Sequence, residues 1–121
     1  MLAIDLYCGL GGWAEGLLSE GWDVIGFDNG ECGMELLRNY PGRLVVQDVL
    51  TLHGSQFRNA SLFVASPPCT EPSYRAMPWR RAKSLNAAGP PHKFIALFDA
   101  CFRIQREACE TAGHYIPMVV E

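Results

Sequence analysis

One stretch combines a potential nucleophile with a backbone stiff enough to aim it: Ser66-Pro67-Pro68-Cys69-Thr70-Glu71. A thiolate attacks electron-poor carbon, and the thiolate rather than the thiol is the reactive form. Pro67 and Pro68 fix two φ angles and remove two N–H donors, and Pro67 also drives Ser66 out of helical geometry. Cysteine is equally a residue that packs well in interiors, so a buried thiol beside a tight turn fits the same letters. Acids able to hydrogen-bond a ligand are scattered along the chain at Asp5, Asp28, Asp48 and Glu121. A glycine cluster, Cys8-Gly9-Leu10-Gly11-Gly12, precedes Trp13. Any shared chemistry requires a fold that gathers these groups.

The hydrophobic pattern supplies one. Short apolar runs bounded by turn residues read as buried strands at residues 2–7, Val24–Phe27, Leu44–Val46, Leu62–Ala65 and Ile116–Glu121. Helical stretches fall between them: Trp13 to about Ser19, ended by Gly21; a turn around Met34, Leu36 and Leu37, stopped by Tyr40-Pro41-Gly42; and Lys93 to about Ala112, ended by Gly113. The last has an apolar face of Phe94, Ile95, Leu97, Phe98, Cys101, Phe102 and Ile104. It also offers i,i+4 pairs Asp99–Arg103, Arg103–Glu107 and Arg106–Glu110, each worth about 0.2–0.5 kcal/mol. Alternating strands and helices predict an α/β protein with a parallel, doubly wound, Rossmann-like sheet. Ligands of such sheets bind beyond the carboxyl ends of the strands. Asp5 with the glycines, Asp28, Asp48 and Pro68-Cys69 all fall at strand ends on that rim.

A chain of 121 residues with 49% hydrophobic residues suits one domain with its own core. Its formal net charge of −3 excludes nucleic-acid binding by overall charge, so any such binding needs a local patch. Residues 66–92 provide a candidate. This long loop carries Arg75, Arg80, Arg81 and Lys83, with Lys93 just beyond, and no acid between Glu71 and Asp99. Tyr74 and Trp79 are interleaved with the bases, as on surfaces that track phosphates and stack bases. A solvated loop has the same composition. Five irregularly spaced cysteines without a CxxC argue against a disulfide framework or a zinc site and for a reducing compartment, the cytoplasm. The three histidines have no metal-ligand spacing. No signal peptide or membrane-spanning segment is expected. Cys101 and Cys109 fit core positions of the last helix.

Gly9-x-Gly11-x-x-Ala14 fits a relaxed dinucleotide fingerprint, with Asp28 at a workable distance for a ribose hydroxyl. The same loop would serve any adenosine cofactor, because glycines let the backbone approach a ligand closely. Asp48 could then accept from an adenine amino group, with Trp13 and Val49 against the ring. Capping of helices and turns explains Asp28 and Asp48 equally well.

Read together, Asp5-Leu6-Tyr7-Cys8-Gly9-Leu10-Gly11-Gly12-Trp13, then Asp28, then Gln47-Asp48-Val49, then Ser66-Pro67-Pro68-Cys69-Thr70-Glu71, then Val119-Val120-Glu121 resemble the ordered motifs of the DNA (cytosine-5) methyltransferases. The resemblance runs over essentially the whole chain. It implies S-adenosylmethionine as cofactor and a flipped-out cytosine in DNA as substrate. By motif, Asp5, Tyr7, Gly9, Gly11, Gly12, Trp13, Asp28, Asp48, Val49 and Pro68 would line the cofactor pocket. Cys69 would be the nucleophile and Glu121 the acid beside the base. Ser66, Thr70, Ser73, Arg75, Arg80, Arg81 and Lys83 would contact nucleic acid. Two departures stand out. Pro72 occupies a position where the family usually has an aromatic. The Asn-Val that normally follows the glutamate, the later strands and the target-recognition domain have no counterpart in these residues. The resemblance therefore implies the cofactor and nucleophile half of a bacterial or phage-like enzyme, as a fragment or one part of a split enzyme whose partner is the missing half. A tRNA cytosine methyltransferase fragment, an inactive cofactor-binding module and a nicotinamide dehydrogenase fragment are alternatives. The last leaves Pro67-Pro68-Cys69 unexplained.

Overall fold

The computed structural model describes residues 1–31, 33–67 and 92–121. Its centre is a five-stranded parallel sheet in the order β3-β2-β1-β4-β5. The strands are β1 (Leu2–Leu6), β2 (Asp23–Asp28), β3 (Arg43–Val46), β4 (Leu62–Ala65) and β5 (Met118–Val120). Among the described residues the α-helices are α1 (Gly12–Ser19), α2 (Met34–Leu37) and α3 (His92–Ala112). The α/β, Rossmann-like expectation holds. β4 matches its apolar run residue for residue, and β5 is shorter than the sequence suggests. Pro117 can accept a ladder bond from Phe63 N but has no N–H to donate, so regular pairing begins one residue later.

β1 divides two cores, because successive side chains of a strand point to opposite faces. Ile4 and Leu6 face a layer made by α3 and the β3–β4 connection, packed with Phe27, Phe57, Phe63, Cys101, Ile104 and Ala108. Ala3 and Asp5 lie on the other side, where Ala14, Val24, Tyr40 and Cys8 close in. The β3–β4 connection holds two single turns of 3-10 helix, Val49–Thr51 and Gly54–Phe57. An edge-on cluster of Phe27, Phe57 and Phe63, with ring centroids 5.3 and 5.9 Å apart, seats it on the sheet.

A polar clamp locks α3 to this connection. Gly54 N donates to Glu107 Oε1 at 2.9 Å. Arg103 reaches the same oxygen and the Leu52 carbonyl, each at 2.8 Å, and the Leu50 carbonyl at 3.3 Å. The Gly54 amide first, and Arg103 after it, hold the Glu107 carboxyl below its ordinary range. Of the pairs offered by spacing, Arg103–Glu107 and the looser Arg106–Glu110, at 3.9 Å, form. Arg103 is occupied by Glu107 and the two carbonyls rather than by Asp99. The apolar face of α3 is also narrower than its sequence suggests: Cys101 and Ile104 are buried, whereas Ile95, Phe98 and Phe102 stay largely exposed. Burial pushes the Cys101 thiol up to about 11, which leaves it a packing group.

Candidate active site

The site is built by strands that end together. Leu6, Ala65 and Val120 lie side by side in register on β1, β4 and β5. One residue further on, Ser66 N donates to Leu6 O at 3.1 Å and Glu121 N to Ala65 O at 2.9 Å. Ser66 and Glu121, 55 positions apart, thereby become neighbours.

The glycine loop brings the third member. Tyr7 and Gly9 both take left-handed backbone angles, φ 56° and 49°, which turn the chain over the end of β1. Cys8 N holds the turn to β2 through Phe27 O at 3.0 Å. Gly11, at φ 90°, caps α1, and a Cβ there would come within 2.6 Å of Pro41 Cδ. Only glycine satisfies both the angle and the space. Helix α1 can therefore start at Gly12, which sets Trp13 over the rim. Trp13 Nε1 donates to Ser66 Oγ at 3.0 Å, and Ser66 Oγ donates to Glu121 Oε2 at 3.5 Å. Gly12, Trp13, Val119, Val120 and Glu121 line an open cleft of about 510 Å³.

A second group sits on the neighbouring strand ends. Asp28 closes β2 and accepts from Gly9 N at 3.1 Å through Oδ2 and from Gly30 N at 2.9 Å through Oδ1. Asp48 accepts from Leu50 N at 2.9 Å and caps the first 3-10 turn. Both acids thus perform the turn role their spacing allowed. Each carboxylate oxygen can accept a further bond, so this role is compatible with a ligand. Gly9 and Gly12 have nothing within 4 Å of where a Cβ would stand, so the backbone presents open space beside Asp28 and Trp13.

Three residues expected to line the cofactor pocket are engaged by the protein itself. Asp5 is 1% exposed beneath the rim, because strand alternation turns it into the small core. Val49 is also 1% exposed and packs in the large core, held there by the turn that Asp48 caps. Tyr7 donates its hydroxyl to Leu97 O on α3 at 2.7 Å, and burial raises its pKa. Ser66, expected against nucleic acid, instead links Trp13 to Glu121. Pro68, Cys69, Thr70, Ser73, Arg75, Arg80, Arg81 and Lys83 lie outside the described residues, as do Tyr74 and Trp79.

Sequence reading missed Tyr40, which it took only as part of a helix stop. Its hydroxyl donates to Asp5 Oδ2 at 2.8 Å, while Asp5 Oδ1 is buried without a partner. Burial, with a smaller push from Asp28, raises Asp5 to about 6 against the pull of the Tyr40 bond. Burial and the Asp5 charge raise Tyr40 as well. The available signal was the acid itself: a buried carboxylate needs a donor, and tyrosine brings one on an apolar body. Gly26 completes the arrangement, since a Cβ there would stand 2.5 Å from the Tyr40 hydroxyl and 2.8 Å from Cys8 Sγ.

Among the described residues, no three of His, Cys, Asp and Glu gather where they could hold a metal ion, and no helix is long and apolar enough to cross a membrane. No family model and no curated protein matches the chain. Among solved structures, the chain is similar to a prophage-encoded protein from E. coli described, by inference, as a DNA modification methyltransferase. The TM-score is 0.62 at 19% identity over 89% of this chain. The chain spans 29% of that structure's length. This likeness establishes a shared fold.

Proposed function

We propose that the chain is the cofactor and nucleophile part of an S-adenosylmethionine-dependent DNA methyltransferase that acts on carbon 5 of cytosine. The observation that carries this reading is the joining of Trp13 and Glu121, which line one cleft, through the Ser66 hydroxyl, since these three belong to separate motifs of the resemblance. The fold shared with a protein described as a methyltransferase supports it.

The rim suits an adenosine cofactor. Open backbone at Gly9 and Gly12 would let the ligand approach closely, and Asp28 and Asp48 supply acceptors for ribose hydroxyls and an amino group. When bound, S-adenosylmethionine supplies an electrophilic methyl group. The chain's own residues make the base reactive. Cys69, as thiolate, would add to carbon 6 of cytosine, forming a carbon–sulfur bond as the carbon 5–carbon 6 double bond opens and makes carbon 5 nucleophilic. Once carbon 5 is methylated, loss of its proton to a base and expulsion of the thiolate restore the double bond, a release that fluorine at carbon 5 blocks. A proton carried by Glu121 would be donated to the ring nitrogen, and the acid would accept from the amino group, which stabilises the negative charge that develops on addition. The target must leave its stack, at a cost of about a few kcal/mol. Arg75, Arg80, Arg81 and Lys83 would grip phosphates to offset it.

S-adenosylmethionine at a saturating concentration is expected to raise the melting temperature by several degrees, while NAD leaves it unchanged. Asp28→Ala should abolish the shift. A shift with NAD alone would sink the assignment. Duplex DNA containing 5-fluorocytosine should then form a covalent adduct that survives denaturing gels and disappears in Cys69→Ser. Cofactor binding without any adduct, even with the downstream polypeptide supplied, would point instead to a non-catalytic binding module.

A further inference from the structure

We infer that Trp13 and Ser66 are positioning residues that lock one oxygen of Glu121 so that the other is presented to the ligand in the cleft. The inference rests on the reading of Glu121 as the acid beside the base.

Hydrogen-bond polarity carries it. An indole Nε1–H can only donate. At 3.0 Å it therefore makes Ser66 Oγ an acceptor. The serine hydroxyl has a single proton, and with Trp13 occupying an acceptor site that proton is left to point at Glu121 Oε2, 3.5 Å away. Direction thus runs one way, from indole to hydroxyl to carboxylate. Oε2 faces the serine hydroxyl at 3.5 Å, a long contact, whereas Oε1 has no protein partner among the described residues and belongs to a residue lining the cleft. Three elements share the arrangement: the first turn of α1, the end of β4 and the end of β5. Backbone ladders already fix two of these ends, through Ser66 N and Glu121 N. The side-chain relay adds what the ladder cannot supply, the rotamer of an exposed carboxylate. Misplacing a reacting group by about 1 Å can cost about 100-fold in rate.

Nuclear magnetic resonance tests the relay without any turnover. The three tryptophans give three indole N–H signals, and Trp13→Phe identifies the one from Trp13. Ser66→Ala should move that signal and speed its solvent exchange about 10-fold or more. Ser66→Thr, which keeps the hydroxyl, should restore both. Glu121→Gln should shift the same signal with Ser66 intact, and should no longer do so in the Ser66→Ala background. An indole signal indifferent to both Ser66→Ala and Glu121→Gln would overturn the relay. In methyl-transfer assays with cytosine-containing DNA, Ser66→Ala and Trp13→Phe should each lower kcat about 10- to 100-fold, with Ser66→Thr close to wild type. The Kd for S-adenosylmethionine should stay within about 2-fold in Ser66→Ala and Ser66→Thr. Equal losses in Ser66→Ala and Ser66→Thr would count against positioning through the hydroxyl. A wild-type chain that forms no product with its downstream polypeptide present would instead count against the methyltransferase reading, and the indole signal would still decide the relay.

Discussion

Gly54→Ala is expected to lower stability by about 3–5 kcal/mol, enough to take a large share of the roughly 5–15 kcal/mol that holds a domain together. An added Cβ at this position would overlap the carbonyl oxygen of Ile104 and stand 2.8 Å from the Cβ of Glu107. The obstacle is the helix backbone rather than the end of a flexible side chain, so α3 itself must move away. That motion opens the large core at Ile104, Cys101 and Ala108, all fully buried, and stretches the Gly54 N to Glu107 bond in the clamp. Thermal unfolding should show the midpoint falling by about 10–20 °C. Gly16→Ala is the matched control. A Cβ there meets nothing within 4 Å, and the position is inside α1, where alanine is favoured over glycine by about 0.5–1 kcal/mol. A Gly54→Ala protein that melts with the wild type would show that α3 does not sit against the β3–β4 connection as described.

Tyr40→Phe should destabilise the protein much more at pH 8 than at pH 4.5. Asp5 titrates at about 6 in the fold against an ordinary value of 3.8. The folded chain therefore holds this proton more tightly than the unfolded chain does. The stability that protonation contributes is fully present below about 3.8, and it is lost as pH rises through about 6. The difference between the two values corresponds to about 3 kcal/mol. Above that window Asp5 is a buried charge with the Tyr40 hydroxyl as its donor and Oδ1 unpaired. Removing the phenol hydroxyl should then cost about 2–3 kcal/mol at pH 8, where the bond is to a charge, and about 1 kcal/mol at pH 4.5. Urea unfolding of both proteins at the two pH values measures this. Equal losses at both would mean that Asp5 is not the group whose charge Tyr40 supports.

The sheet was largely legible in the sequence because its strands are nearly continuous apolar runs between turn residues, as in Leu62–Ala65 between Ser61 and Ser66. Helix α3 was legible from its period, yet period alone could not say how much of its apolar face would be covered. Ile95 and Phe98 fit the stripe as well as Cys101 does, but only the latter meets the sheet layer. The candidate site divides similarly. The rim positions of Asp28, Asp48, Trp13 and Glu121 follow from strand order. Contacts such as Tyr40 to Asp5 and Trp13 to Ser66 join residues 35 and 53 positions apart, and nothing local in the chain encodes them. Asp5 was misplaced for a related reason. It stands close to the rim in sequence, but pleating decides its direction, and a run apolar on both sides leaves that parity unreadable.

The enclosure of Asp5 has a consequence for how the chain avoids wrong pairings. Parallel strands are joined by long crossovers, so no tight turn dictates which residue of β1 meets which residue of β2 or β4. Ala3, Ile4 and Leu6 would tolerate a shift by one position, since both faces of the strand are apolar. Asp5 would not. A one-residue slip would reverse the strand's faces and drive the carboxyl from beside Tyr40 into the layer of Phe57, Phe63 and Ile104. An acid stranded there without a donor costs several kcal/mol, whether charged or protonated. The buried acid that weakens the native state above pH 6 thus penalises the misregistered state more heavily, and the energy gap between correct and incorrect pairing widens.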